Sequence, residues 1–266
     1  MMKVLNVALG MLLSASMAQA EICGKADDRV PSFDSKVGRL VKEGAKSGCG
    51  ATLVGPSCVI TIGECAQDRD LVEFNVPASV AGISQASSSE DVYYVDKSAT
   101  VFKRGGIGNQ WAVLRLHPNK VTQKNAGDVQ GFYRLADKKS QSGDPIRVVQ
   151  YAYALNDTYD IRQGNIPASK YPETMHFAQQ VSYGKLVKAG IFLIPEIIEH
   201  DADTSYGSWG SPVINEKTNE VVGINTHGGC RAEYMVKLGA RYTNSGTSVT
   251  GSSEFKRAIT ACLSGK

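Results

Sequence analysis

The sequence predicts an all-β fold, a sandwich or a set of barrels, followed by one C-terminal helix. Two observations carry this expectation. Short β-prone runs bounded by turn residues recur along the chain, and helical spacing of apolar residues is clear in only one segment. Strands and turns recurring this often argue against alternating β/α units.

The elements follow in chain order. Residues 1–20 read as a secretory signal. Lys3 supplies a short positive start. An apolar run passes through Val7, Leu9, Met11, Leu12 and Leu13, and Ala18-Gln19-Ala20 is a small-x-small cleavage site. The run is too short to span a bilayer as a helix. Cys23 lacks the preceding small residues that lipid attachment requires, and no other segment is long and apolar enough to span a membrane. Cleavage after Ala20 leaves a chain long enough for one large or two small packed units.

Residues 51–54 and 58–61 are β-prone runs around a Gly55-Pro56 turn. The serine-rich stretch 84–90 reads as an exposed loop. Residues 111–116 form a mostly apolar run of strand length, and 147–153 form another. The polar, turn-rich region 121–144 between them is taken as the linker of two halves. Residues 212–214 and 221–224 flank a polar loop and read as a hairpin. Phe255, Ala258, Ile259, Cys262 and Leu263 recur at helical spacing. Ser252 or Ser253 is placed to cap that helix, and Glu254 suits the positive end of its dipole.

Charge and cysteine content narrow the function classes. The net charge is only +3, with basic residues scattered among acids, so nucleic-acid binding has little support. Six cysteines, Cys23, Cys49, Cys58, Cys65, Cys230 and Cys262, suggest three disulfides in an oxidising compartment. Counting alone leaves fifteen pairings open. None of the spacings is a zinc pattern, and the four histidines lie far apart in sequence, so no metal or other cofactor is expected.

Four islands carry a resemblance. The first is Ile22-Cys23-Gly24 followed by Asp27-Asp28-Arg29. The second is Cys49-Gly50-Ala51-Thr52-Leu53, leading to Val59-Ile60-Thr61-Ile62-Gly63-Glu64-Cys65. The third is Asn109-Gln110-Trp111-Ala112-Val113-Leu114. The fourth runs from Gly207 through Ser208-Trp209-Gly210-Ser211-Pro212 to Val213, then Val222-Gly223-Ile224 and Gly228-Gly229-Cys230. In this order and at these separations they resemble the trypsin-like serine peptidases, with a start and a Gly-Ser-Pro-Val ending similar to the bacterial glutamyl endopeptidase branch. The resemblance implies two six-stranded antiparallel barrels, a cleft between them and a helix packed behind. We place the first barrel in 21–127, and the second barrel with the terminal helix in 128–266.

In such enzymes a serine attacks the peptide carbonyl, a histidine takes its proton and an aspartate orients the histidine. The resemblance sets Glu64 at the histidine position, Gln110 at the aspartate position and Trp209 at the serine position. An indole offers no hydroxyl to attack with. A carboxylate does not relay a proton from a hydroxyl as imidazole does, and Gln110 carries no charge to stabilise an imidazolium. Losing any triad member leaves only roughly 10³–10⁴-fold catalysis over water. Ser208 and Ser211 flank the position without a histidine placed by the motif. In many relatives an aspartate before the serine pairs with the freed N-terminus; here Ser208 occupies that place.

By position, Cys49–Cys65 resembles the loop disulfide that braces the histidine. Cys58–Cys262 is proposed to tie the first barrel to the terminal helix, and Cys23–Cys230 to tie the N-terminus to the rim of the specificity pocket. Bridges of this kind contribute about 2–4 kcal/mol each. Candidate binding residues are Trp209, Glu64, Gly207, Ser208, Thr226 and His227. Trp209 is either an aromatic anchor for a partner or a plug in the cleft. Glu64 either receives a basic side chain or is a solvated surface acid. His227 falls in the segment that would wall the specificity pocket, although Asn225 stands where the branch's ligand-binding histidine is expected. Asn156-Asp157-Thr158 fits a glycosylation sequon.

The resulting expectation is a secreted, monomeric, catalytically inactive protease homologue. It binds a protein, peptide or glycan through its cleft or loops. The alternatives are a hydrolase with non-standard groups, Glu64 being the obvious base, and a decoy that occupies inhibitors of active relatives.

Overall fold

The structure is a computed structural model. It describes residues 22–24, 27–154, 173–191, 194–230 and 243–265 of the chain. Residues 1–20, read from the sequence as a signal, and the sequon at Asn156 lie outside the described residues.

A two-residue strand, β1 (Val30–Pro31), precedes two six-stranded antiparallel barrels. The first barrel contains β2 (Val37–Val41), β3 (Cys49–Leu53), β4 (Cys58–Thr61), β5 (Leu71–Glu73), β6 (Val92–Lys103) and β7 (Trp111–Leu116). It closes in the order β2-β3-β4-β7-β6-β5. The second contains β8 (Pro145–Tyr151), β9 (Gln179–Ile191), β10 (Ile194–His200), β11 (Pro212–Asn215), β12 (Val221–His227) and β13 (Asn244–Ser248). Its order is β9-β10-β13-β12-β11-β8, and pairing of β8 with β9 completes the ring. β1 adds to this second barrel, with Val30 opposite Val181 on β9. Among the described residues the α-helices are α1 (Gly63–Asp68), α2 (Ala126–Gln130) and α3 (Ser253–Leu263).

The predicted runs form where their pattern places them. β3 and β4 pair through Thr52–Ile60 and Leu53–Val59, and the Val54 amide bonds the Cys58 carbonyl across the turn. The apolar run 111–116 becomes β7, buried against β4 on one side and β6 on the other. The 212–214/221–224 hairpin extends to Asn215 and His227. β8 stops at Tyr151, short of the expected end at Tyr153, because the Tyr153 amide turns away to the Tyr206 carbonyl.

In α3 the Ser252 hydroxyl accepts the Phe255 amide at 3.4 Å, the capping bond expected at this start. Phe255 and Ile259 are buried, and Phe255 stacks on Trp111 of β7 with ring centroids 5.2 Å apart. Each such fully buried side chain contributes about 1.5–3 kcal/mol. Cys58–Cys262 joins β4 to this helix, Cys49–Cys65 joins β3 to α1, and Cys23–Cys230 joins the start of the described chain to the segment after β12.

Two expectations change. Ser84, placed in an exposed loop, is buried because its hydroxyl meets the Arg39 guanidinium; its neighbours 86 and 88–90 are exposed. The 121–144 region is more than a polar connection. It carries α2, bonds the Tyr133 amide to Leu53 of the first barrel and exchanges bonds with Val221 of the second. Among the described residues no helix is long and apolar enough to cross a membrane.

Candidate functional site

The site lies where the loop before β11 meets the ends of β3 and β4. Two glycines make the approach possible. At Gly210, with φ +78°, an added Cβ would sit 2.2 Å from Thr61 Oγ1 and 2.6 Å from the Gly50 carbonyl oxygen. At Gly50 a Cβ would sit 2.7 Å from Ser211 Cα. With that space open, the Gly50 amide donates to the Trp209 carbonyl at 2.7 Å, and Thr61 Oγ1 donates to the Gly50 carbonyl at 2.7 Å. The second barrel holds the same loop from behind. The Gly210 amide donates to Asn225 O and the Asn225 amide to Ser211 O.

These contacts bring the three singled-out positions to one junction. Trp209 precedes the glycine that rests on Thr61 and Ile62. Glu64 lies in the first turn of α1, two residues past Ile62, and is exposed. Gln110 lies two residues before Ala112, which pairs with Thr61. Its side chain is buried, and its carbonyl accepts Thr247 Oγ1 from β13 at 2.8 Å. Among the described residues Glu64 forms no ion pair.

Trp209 is half-buried and packs against the main apolar core, to which both barrels contribute. Its indole meets the Tyr206 ring edge-on at 5.4 Å. Tyr206 in turn meets Phe177, and Phe177 meets Tyr153, so an aromatic series leads away from Trp209. Tyr206 is 56% exposed and Phe177 only 9%. The Trp209 Nε1 proton has no acceptor among the described residues.

The flanking serines are enclosed. Ser208 and Ser211 are both fully buried. Ser208 Oγ receives Asn225 Nδ2 at 3.1 Å, and Asn225 Oδ1 faces His200 Nε2 at 3.1 Å. His200 is also fully buried, and desolvation pulls its imidazole down to about 4. Gly207 takes φ +98°, where a Cβ would lie 2.6 Å from the Tyr151 carbonyl oxygen, so the backbone enters the loop pressed against β8. Thr226 is buried and donates to the Ser245 carbonyl at 3.2 Å; its hydroxyl also lies 2.8 Å from Nδ1 of the half-buried His227.

Residues 22–245 match the family model described as Trypsin. The chain belongs to the trypsin family. Solved structures agree at the level of the fold. A Glu endopeptidase in complex with MPD superposes with a TM-score of 0.60 at 15% identity, covering 90% of this chain and 97% of that one. The thermostable serine protease AL20 from an extremophilic microorganism gives 0.58 at 12% identity, covering 89% and 100%. The protease Anisep from Arthrobacter nicotinovorans gives 0.52 at 13% identity, covering 87% and 93%.

Within this trypsin-family frame, sequence reasoning did not find the His200–Asn225–Ser208 chain or the Tyr206–Phe177–Tyr153 series. Their members are scattered over 153–225 and meet only after β9, β10 and β12 close the barrel. One signal was present: Asn225 stood out because a histidine was expected in its place.

A second cluster orders the start of the described chain. Asp203 accepts the Cys23 amide at 2.7 Å and the Asp28 amide at 2.8 Å. Burial, reinforced by nearby Asp28 and Asp27, pushes its carboxyl up to about 8, while the two amide bonds pull the other way. Asp27 and Arg29 form a buried pair beside it at 2.6 Å. This part of the chain is therefore held by Asp203, five residues before Ser208.

Proposed function

We propose that this protein is a secreted trypsin-family member that has lost peptidase chemistry and acts by binding a protein, peptide or glycan through its cleft. One observation carries the reading: a tryptophan, Trp209, stands where the resemblance places the nucleophilic serine. Glu64 and Gln110 at the other two positions support it, since neither supplies the base or the charge that serine attack requires.

The serines beside Trp209 offer no ready substitute. Ser208 and Ser211 are fully buried, and Ser208 Oγ is engaged by Asn225. The nearest imidazole in that chain, His200, is itself buried and reaches Ser208 only through Asn225. The half-buried Trp209 and the exposed Tyr206 together make an aromatic surface at the cleft, of the kind enriched at binding hot spots. Three disulfides fit an oxidising, extracytoplasmic compartment.

The test is covalent labelling with a fluorophosphonate probe. The native mature protein is run beside a variant carrying Glu64→His, Gln110→Asp and Trp209→Ser. The reading expects no labelling of the native protein and labelling of the variant. Labelling of the native protein, removed by Ser208→Ala or Ser211→Ala, would return it to the hydrolases.

A further inference from the structure

A cavity of about 520 Å³ opens on the first barrel, lined from the β2–β3 loop, β5, the β5–β6 loop and the chain after β7. None of the residues Glu64, Gln110 and Trp209 lines it. Its volume falls in the range of small-molecule sites, roughly 300–1,000 Å³. Val41, Leu71, Val92 and Val121 supply apolar walls.

The floor explains why the space does not collapse. Arg39 is 1% exposed and satisfies its guanidinium entirely within the protein. It binds Glu73 Oε2 through Nε and one terminal nitrogen, at 3.0 and 2.6 Å. It also donates to the carbonyls of Lys46, Gln85 and Phe177 and to the Ser84 hydroxyl. One buried cation thus pins the two loops and the strand that form the walls. A charge so placed holds geometry because each lost bond would leave a buried donor unpaired. Walls fixed before binding lower the ordering cost a ligand must overcome.

Among the residues that line the cavity the charge is net positive, and the nearby Glu43 is engaged by the Tyr94 hydroxyl. Arg39 and Glu73 neutralise each other. Lys46 and Lys120 also line the cavity, are exposed, and form no ion pair among the described residues. Lys120 Nζ rests over the Tyr94 ring, 3.5 Å from its centroid, which keeps the ammonium at the cavity wall. The Tyr94 hydroxyl is tied to Glu43, so the ring is fixed as well. We propose that this cavity is a second ligand site, separate from the cleft, for a small carboxylate with an apolar body: the body against the valines and Leu71, the carboxylate between Lys46 and Lys120.

The test uses 4-phenylbutyrate and its neutral amide with the full mature protein, followed by calorimetry and by backbone NMR shifts. The acid is expected to bind, with shifts confined to residues 39–46, 71–73, 85–94 and 120–121. The amide and the Lys46→Ala/Lys120→Ala double variant are each expected to bind about tenfold more weakly, since two charge-assisted contacts are lost. Ala86→Trp, which fills the cavity from an exposed position, is expected to abolish binding. Equal binding of acid and amide, shifts centred on Trp209 and Tyr206, or no binding at millimolar acid would each overturn the proposal.

Discussion

Asn225 uses both ends of its amide. Its oxygen faces His200 Nε2 and its nitrogen donates to Ser208, so the imidazole is the donor in that contact and is held as the Nε2–H tautomer. Burial pulls His200 from 6.5 down to about 4, against the Asn225 oxygen, nearby Asp201 and the Ala202 carbonyl, which favour the charged form. The sign follows. The unfolded chain takes a proton near 6.5, and the folded protein takes it only near 4. The neutral buried imidazole therefore contributes fully above 6.5, and the contribution is lost as pH falls from 6.5 toward 4. The whole effect is about 3 kcal/mol. Urea midpoints of the native protein and of His200→Asn check this. The native protein is expected to lose more stability than the variant between about pH 7 and about pH 4.5. A parallel loss in both would mean that His200 is not the group responsible.

At the scale of elements, α3 and β13 are opposites. α3 announces itself through its apolar stripe and its capping serine, and it forms as the pattern requires. Phe255→Ala removes a fully buried ring stacked on Trp111 and is expected to cost about 3–5 kcal/mol. Ser252→Ala removes one cap bond and is expected to cost about 1 kcal/mol. Urea denaturation of the two variants measures both, and a Phe255 variant within error of native would contradict the packing. β13, Asn-Ser-Gly-Thr-Ser, has no apolar residue and no strand signature, yet every residue in it is buried. Two of its polar side chains find tertiary partners, Asn244 at Ala202 O and Thr247 at Gln110 O, and Ser248 bonds locally to Thr250 and Gly251. Nothing local predicts such a strand. β10 and β12 create it by supplying ladders on both sides.

Across the whole molecule, two disulfides each span about three-quarters of the chain. Cys23–Cys230 and Cys58–Cys262 close separations of 207 and 204 residues, whereas Cys49–Cys65 closes 16. In the chain-entropy account a longer closed loop removes more unfolded-state freedom. Replacing Cys58 and Cys262 with alanine is expected to destabilise by about 2–5 kcal/mol, and by about 1 kcal/mol more than replacing Cys49 and Cys65, since Cys23–Cys230 already shortens the loop that Cys58–Cys262 closes. Guanidinium midpoints of the two double variants test this, and equal losses would show that native packing around α1 outweighs the entropy of the short loop. The barrels are also joined without cystine. The Gly50–Trp209 and Thr247–Gln110 bonds each cross from one barrel to the other at the site.

The sequence by itself determined the class of fold, the hairpins at 51–61 and 212–224, the run at β7 and the terminal helix. These depend on local periodicity and turn chemistry, which neighbours in the chain supply. It also marked Glu64, Gln110 and Trp209, because motif spacing survives without coordinates. Tertiary structure alone decided the rest. β1 leaves the first half of the chain to join β9, Ser84 is drawn inward by Arg39, and Arg39 itself is buried in a strand whose sequence shows no reason for it. The cavity beneath Lys46 and Lys120 and the aromatic series from Trp209 likewise combine residues far apart in sequence. Their chemistry exists only once barrel closure brings those side chains together and removes the water between them.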